Sequence, residues 1–187
     1  STQGFQAFDQ PNTGDALLSA GSQALDVFGQ AKQRADVAMA QDASLQLSQV
    51  SSDLLTNPDT GLLNLQGKNA LGKGQEYTQQ FDSQAEQIAM TLPEGARSGF
   101  LQQAQQQRIQ FTTQAGRHEI NQLNAYEEGQ FQATLENNGK LAASAYADNA
   151  NYVLYNQQTF QQIEAYGAAH GWSAEQIQAK KTEFKEK

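Results

Sequence analysis

The sequence is marked first by what it lacks. It has no cysteine, so disulfide cross-links and thiol chemistry are excluded. It has two histidines, one tryptophan, two methionines and only three prolines, Pro11, Pro58 and Pro93. Valine is scarce and no alternating apolar and polar run stands out, which removes the usual signs of a sheet. No apolar run approaches the ~18 residues that a membrane-spanning helix needs. Basic residues are also few: 12 Lys and Arg stand against 20 Asp and Glu, giving a formal charge of −8. The densest basic group, Lys180, Lys181, Lys185 and Lys187, is interrupted by Glu183 and Glu186. A phosphate-binding face gathers cations and releases counterions, so a direct nucleic-acid site is not expected.

What the sequence has in abundance is glutamine, about one residue in six, set among Ala, Leu and Glu. These are good helix formers, with flexible side chains that lose little rotamer freedom in a helix. The mean hydropathy of −0.68 and the 38% hydrophobic content are low for a round globule of 187 residues. They suit thin helices that each bury one stripe. The expected fold is all-α, an elongated helical bundle with one dominant long helix. The opening at Ser1 and the charged ending Lys185-Glu186-Lys187 read as a piece of a longer chain.

Residues 1–14, with Gly4, Pro11, Asn12 and Gly14, read as an irregular N-terminal arm in which Phe5 and Phe8 are candidates for docking. Residues 15–187 read as a single helical domain. Leu17, Leu18, Ala24, Leu25, Phe28, Ala31, Ala35, Ala38 and Met39 recur mostly at spacings of three and four. Leu45, Leu47, Val50 and Leu54 extend that helix to about residue 55. Thr56-Asn57-Pro58-Asp59-Thr60-Gly61 stops it, because proline restricts the residue before it and Asp and Gly favour a turn. Residues 61–74 form a Gly-rich connection whose leucines plug the end of a bundle. A second helix is expected over 74–92, with Tyr77, Phe81, Ala85, Ile88, Ala89 and Leu92 on one side.

From Glu94 to Ala169 no proline intervenes, and a single long helix is expected. Phe100, Ala104, Phe111 and Ala115 mark its first stripe. The stripe continues through Ile109, Ile120, Leu123, Phe131, Leu135, Ala142, Tyr146, Val153, Phe160 and Ile163. Asn137-Asn138-Gly139 is the best candidate for a break, since Asn and Gly tolerate positive φ. Gly171 fits a helix C-cap, and Ser173 with Gln176 fits a capping box opening a last helix over 174–187.

Enzymatic signatures are missing at the expected spacings. Gly67 to Gly72-Lys73 imitates a phosphate loop, but Gly74 replaces the hydroxyl residue that would hold Mg²⁺, and no strand leads into it. His118 has Gln114 and Gln122 one turn away on either side, so a helical metal pair is not formed. Glu127 and Glu128 are adjacent on a helix and point about 100° apart, which prevents them from facing each other across a cleft. No catalytic residue, metal ligand or cofactor site is expected. The candidate interaction surface is aromatic: Tyr146, Tyr152, Tyr155, Phe160 and Tyr166, since tyrosine combines apolar area with a polar tip. Core packing accounts for the same residues equally well.

One stretch resembles a known group. Gly61-Leu62-Leu63, Gly67-Lys68, Ala70-Leu71, then Leu92-Pro93 and Arg117-His118, resemble a segment of the long helical internal, DNA-ejection and tape-measure-like proteins of tailed phages. The likeness covers under a third of the chain. It implies a virion component that self-associates, meets other virion proteins, takes part in particle assembly or genome ejection, and contacts the host envelope. It transfers no catalytic residue. The other readings are a bacterial secreted or envelope-associated helical interaction module, and an enzyme fragment without its catalytic part.

Overall fold

A computed structural model describes the backbone of residues 2–186 and the side chains of residues 17–186. The chain is an all-α bundle of five helices, and no strand is found among the described residues. In order they are α1 (Thr2–Thr56), α2 (Lys73–Met90), α3 (Glu94–Ser144), α4 (Asn149–Ala169) and α5 (Ala174–Glu186). Two short 3₁₀ turns, Leu62–Asn64 and Gly67–Ala70, lie between α1 and α2. The helices group into two compact units, residues 1–119 and 120–187, where a single domain over 15–187 was expected. The apolar stripe of α3 gathers separate partners along its length, so two cores form instead of one.

The first unit packs α1, α2 and the first half of α3 around Leu47, Leu55, Leu62, Phe81, Phe100 and Phe111. Phe81 and Phe111 stack with ring centroids 4.9 Å apart, joining α2 to α3. The expected stripe Phe100, Ala104, Phe111 and Ala115 is buried here. Polar ties surround it. Arg108 holds Asp82 with two bonds of 2.7 and 3.1 Å, and Gln107 donates to the carbonyl and hydroxyl of Ser44. Only Thr91, Leu92 and Pro93 separate α2 from α3. Arg97 reaches back to the carbonyls of Ala89 and Leu92, supplying donors to the open end of α2.

The end of α1 follows from local chemistry. The side-chain oxygen of Asn57 accepts from the backbone N–H groups of Asp59 and Thr60, replacing the helical ladder by a turn. Gly61 then passes so close to this turn that an added Cβ would lie 2.6–2.7 Å from backbone atoms of Asn57 and Leu55. At the other end, the backbone is helical from Thr2, so the irregular arm expected over 1–14 is not formed. Pro11 removes one backbone donor, and the helix continues past that loss. The expectation that Phe5 and Phe8 dock lies outside the described side chains.

The second unit packs the rest of α3 against α4 and α5 around Phe131, Leu135 and Ile163, with Phe160, Tyr166, Trp172, Ile177 and Phe184 closing over them. The candidate break at Asn137-Asn138-Gly139 is not used; α3 runs to Ser144. Asn138 donates to Gln162 on α4 at 2.8 Å, and the bare face of Gly139 faces the Phe184 ring. Both residues serve helix–helix contact, so their turn propensity is overridden. The single helix expected from Glu94 to Ala169 breaks later, at residues 145–148, where Asp148 caps α4 by accepting from Asn151.

The C-terminal expectations hold. The N–H of Trp172 bonds to the carbonyl of Gly167 across Gly171, at φ 71°, which satisfies the end of α4. Ser173 and Gln176 exchange the two bonds of a capping box at 2.8 and 3.1 Å. Gly167 lets α5 and Trp172 sit directly on α4, because a Cβ there would meet Ile177 at 2.7 Å.

Phe100→Ala is expected to destabilise the first unit by about 3–5 kcal/mol, the cost of an unfilled aromatic site. Gly167→Ala is expected to cost the second unit about 1–3 kcal/mol by overpacking. Urea unfolding followed by far-UV circular dichroism checks both; Trp172, the only tryptophan, reports the second unit by fluorescence. Wild-type midpoints in either variant would contradict these packing assignments.

Candidate functional site

Three features have the residue types or exposure to bear function. They are the outer face of α1, the connection before α2, and the aromatic cluster of the second unit.

α1 has two faces with different fates. Asp36, Ala40, Ala43, Leu47, Val50 and Leu54 recur at alternating spacings of four and three and turn into the first unit. On the opposite side a second apolar row runs through Leu17, Gly21, Ala24, Phe28, Ala31, Ala35 and Ala38, also spaced four and three. In heptad terms these are its a and d positions. Leu18, Leu25, Lys32 and Met39 flank one side, and Ala20, Val27 and Arg34 the other. Every residue from Leu17 to Ala35 is exposed, with Leu25 at 72% and Phe28 at 70%. The sequence pattern identifies this row as a helix face; it does not tell that a different row on the same helix takes the internal contacts.

The connection before α2 is held from α3. His118 Nε2 lies 2.8 Å from the carbonyl oxygen of Leu65, and the Glu119 carboxylate accepts from the N–H of Gly74 at 3.0 Å. Tyr77 donates to Thr60, and Asn64 to Asn57 and Pro58. The residues that imitate a phosphate loop are therefore already engaged. Glu119 occupies the N-terminus of α2, where an anion would bind, and Lys73 pairs with Glu76 at 2.9 Å. That pairing raises the Lys73 pKa through its hydrogen bond and charge attraction. His118, expected only as a polar helix position, is a structural tie. A lone histidine carries no sequence signal for a carbonyl 53 residues away.

The five aromatic residues proposed as one surface are divided by the fold. Phe160 and Tyr166 pack on the second core: Tyr166 stacks on Phe131 at 4.0 Å and meets Trp172 edge-on at 5.4 Å, and Phe160 meets Phe184 edge-on. Lys181 and Lys185 lie over the Phe160 ring at 5.6 and 5.1 Å. Tyr146 is 79% exposed in the turn between α3 and α4 and touches Tyr152 edge-on. Tyr155 is half-buried on α4, where its carbonyl accepts from the buried hydroxyl of Thr159. Tyr146 stands exposed beside the half-buried Tyr152.

His170 closes the C-terminus of α4. Its Nδ1 lies 2.9 Å from the Tyr166 carbonyl, its Nε2 lies 3.2 Å from Glu127, and its ring stacks on Tyr166 at 4.0 Å. Burial, together with the charges of Glu128 and Glu127, raises the Tyr166 pKa above the usual tyrosine value. Lys181 pairs with Glu164 beside this cluster.

The cavities are open grooves along helix pairs. One of about 510 Å³ between α3 and α5 is lined by Leu135, Glu136, Lys140, Lys180, Glu183 and Phe184. Among the described residues, no three His, Asp or Glu side chains gather at metal-binding spacing, and no helix is long and apolar enough to cross a membrane. Comparison with known proteins gives no matching family model, no matching curated protein and no matching solved structure.

The Tyr166 phenol yields a pH test. Its folded-state pKa is raised, so folding holds the proton that the unfolded chain releases near 10. Its contribution to stability is complete below that pH and is lost as pH rises through the folded value. Absorbance titration near 295 nm should show Tyr166 ionising late, with stability falling in the same window. Tyr166→Phe should remove the late phase; a late phase that persists would assign it elsewhere.

Proposed function

We propose that the chain is a non-enzymatic structural component that works by assembling with other proteins, and that its setting is the particle of a tailed phage. The observation that carries the assembly reading is the outer face of α1, where a regular apolar row stands exposed over residues 17–35. A monomer seldom leaves a contiguous apolar face in water, and such a face marks an interaction site.

The phage setting rests on the resemblance of Gly61–His118 to internal and ejection proteins. The residues of that resemblance take part in one folded motif: Leu62 is buried in the first core, and His118 ties down Leu65. A helical virion protein that meets neighbouring copies and other virion proteins, and reaches the host envelope during DNA delivery, accords with long helices that keep an uncovered face. Such a role needs neither cofactor nor direct nucleic-acid site.

Mass spectrometry of purified particles of the source phage is expected to find the chain in multiple copies. Particles grown with Phe28→Glu in place of the wild type should carry it at least tenfold depleted. A chain confined to the bacterial envelope or medium, with none in particles, would replace the virion reading by that of a secreted or envelope interaction module. Turnover of peptidoglycan by dialysed protein would overturn the non-enzymatic reading.

A further inference from the structure

We infer that the outer face of α1 is covered by the same face of a second copy, in an antiparallel helix pair centred near residue 26. This inference deepens the assembly reading and rests on it.

The period of the row is the first argument. Spacings of four and three keep a stripe facing a partner helix of the same period, and that match is the basis of coiled-coil packing. α1 carries such a period on its outer face, and a second copy supplies it identically. The face is also separate from the internal contacts, which lie on the opposite side of α1, so pairing disturbs nothing already formed.

Side-chain size sets the orientation. Over residues 17–35 the a and d positions alternate bulk with very little: Leu17, Gly21, Ala24, Phe28, Ala31, Ala35. A parallel pair in register would place Phe28 on Phe28 and Gly21 on Gly21, forcing the axes apart at one level and leaving a void at the next. An antiparallel pair about residue 26 places Phe28 against Ala24, Leu17 against Ala35 and Gly21 against Ala31. Each large side chain then meets a small one, and the helix separation stays even, as close packing requires. No Asp or Glu lies in that overlapping row. The parallel register, extended toward the unit, would instead bring Asp42 against its own copy.

The area suffices. Leu17, Leu18, Leu25, Val27 and Phe28 together remove on the order of 500 Å² per copy when covered. Two copies reach the roughly 1,000 Å² expected of a specific interface. Gly21, within the row, has no atom within 4 Å of where its Cβ would stand, so the space beside the row is open to an incoming helix.

Light scattering on the purified full chain tests the pairing. The wild type is expected at twice the monomer mass at micromolar concentration. Leu25→Glu and Phe28→Glu should return the monomer, with dissociation constants raised at least 100-fold and unchanged helical circular dichroism, because both residues are exposed. Gln33→Glu, which adds the same charge on the opposite, equally exposed side of this segment, should leave the dimer intact. The chain has no cysteine, so introduced thiols report orientation cleanly. A mixture of Gly21→Cys and Ala31→Cys should form the mixed disulfide. Ala31→Cys alone should not, since its two copies would lie ~15 Å apart along the axis. A monomeric wild type, or efficient cross-linking of Ala31→Cys alone, overturns the inference. A monomeric wild type whose Phe28→Glu variant is nevertheless lost from particles would leave the assembly reading standing with a different partner. Unimpaired incorporation of that variant would remove the assembly reading itself.

Discussion

The governing constraint is that the apolar stripes are narrow, so each core forms only along the seam where three helices meet. Gln, Ala and short polar side chains fill the remaining faces, and among the described residues no layer of strands offers a broad apolar surface. Burial therefore proceeds pair by pair: α1 and α2 on the first half of α3, and α4 and α5 on the second. Each core needs a few large side chains to fill the seam, and Phe81, Phe100 and Phe111 in one unit, with Phe131 and Ile163 in the other, supply them. The same constraint leaves the outer face of α1 without a partner inside its own unit.

Polar groups in this protein hold backbone ends and connections. Asn57, Arg97, Asp148, Ser173 and Gln176 each supply a bond to a helix terminus or turn. Glu119 and His118 hold the Gly-rich connection from the side. The residues that imitate a phosphate loop or a helical metal pair are thus engaged in bonds within the fold. A carboxylate already fills the helix N-terminus that would receive an anion, and the paired lysine is neutralised by its own neighbour.

Much of the fold was legible in the residue pattern. The helical class, the second helix, the first stripe of α3, the cap at Gly171 and the capping box at Ser173 all depend on near neighbours, three to six residues apart. The places where pattern and structure part are those where a distant residue intervenes. Asn138 and Gly139 have turn propensity, but Gln162 and Phe184 draw them into a helix pair. Phe160 and Tyr166 fitted an interaction surface and a core equally well by pattern, and α5 and Trp172, folding over them, place both on the second core.

Local spacing by itself determined that the chain would be helical, where most helices would stop, and which side chains could share a stripe, because those properties follow from hydrogen-bond geometry within a few turns. Only the tertiary structure decided which of two stripes on α1 would face inward, that α3 would serve two separate cores, and that His118 and Glu119 would tie down a connection some fifty residues earlier. Those outcomes depend on which helices meet and at what level, and a period of three and four residues is silent on that.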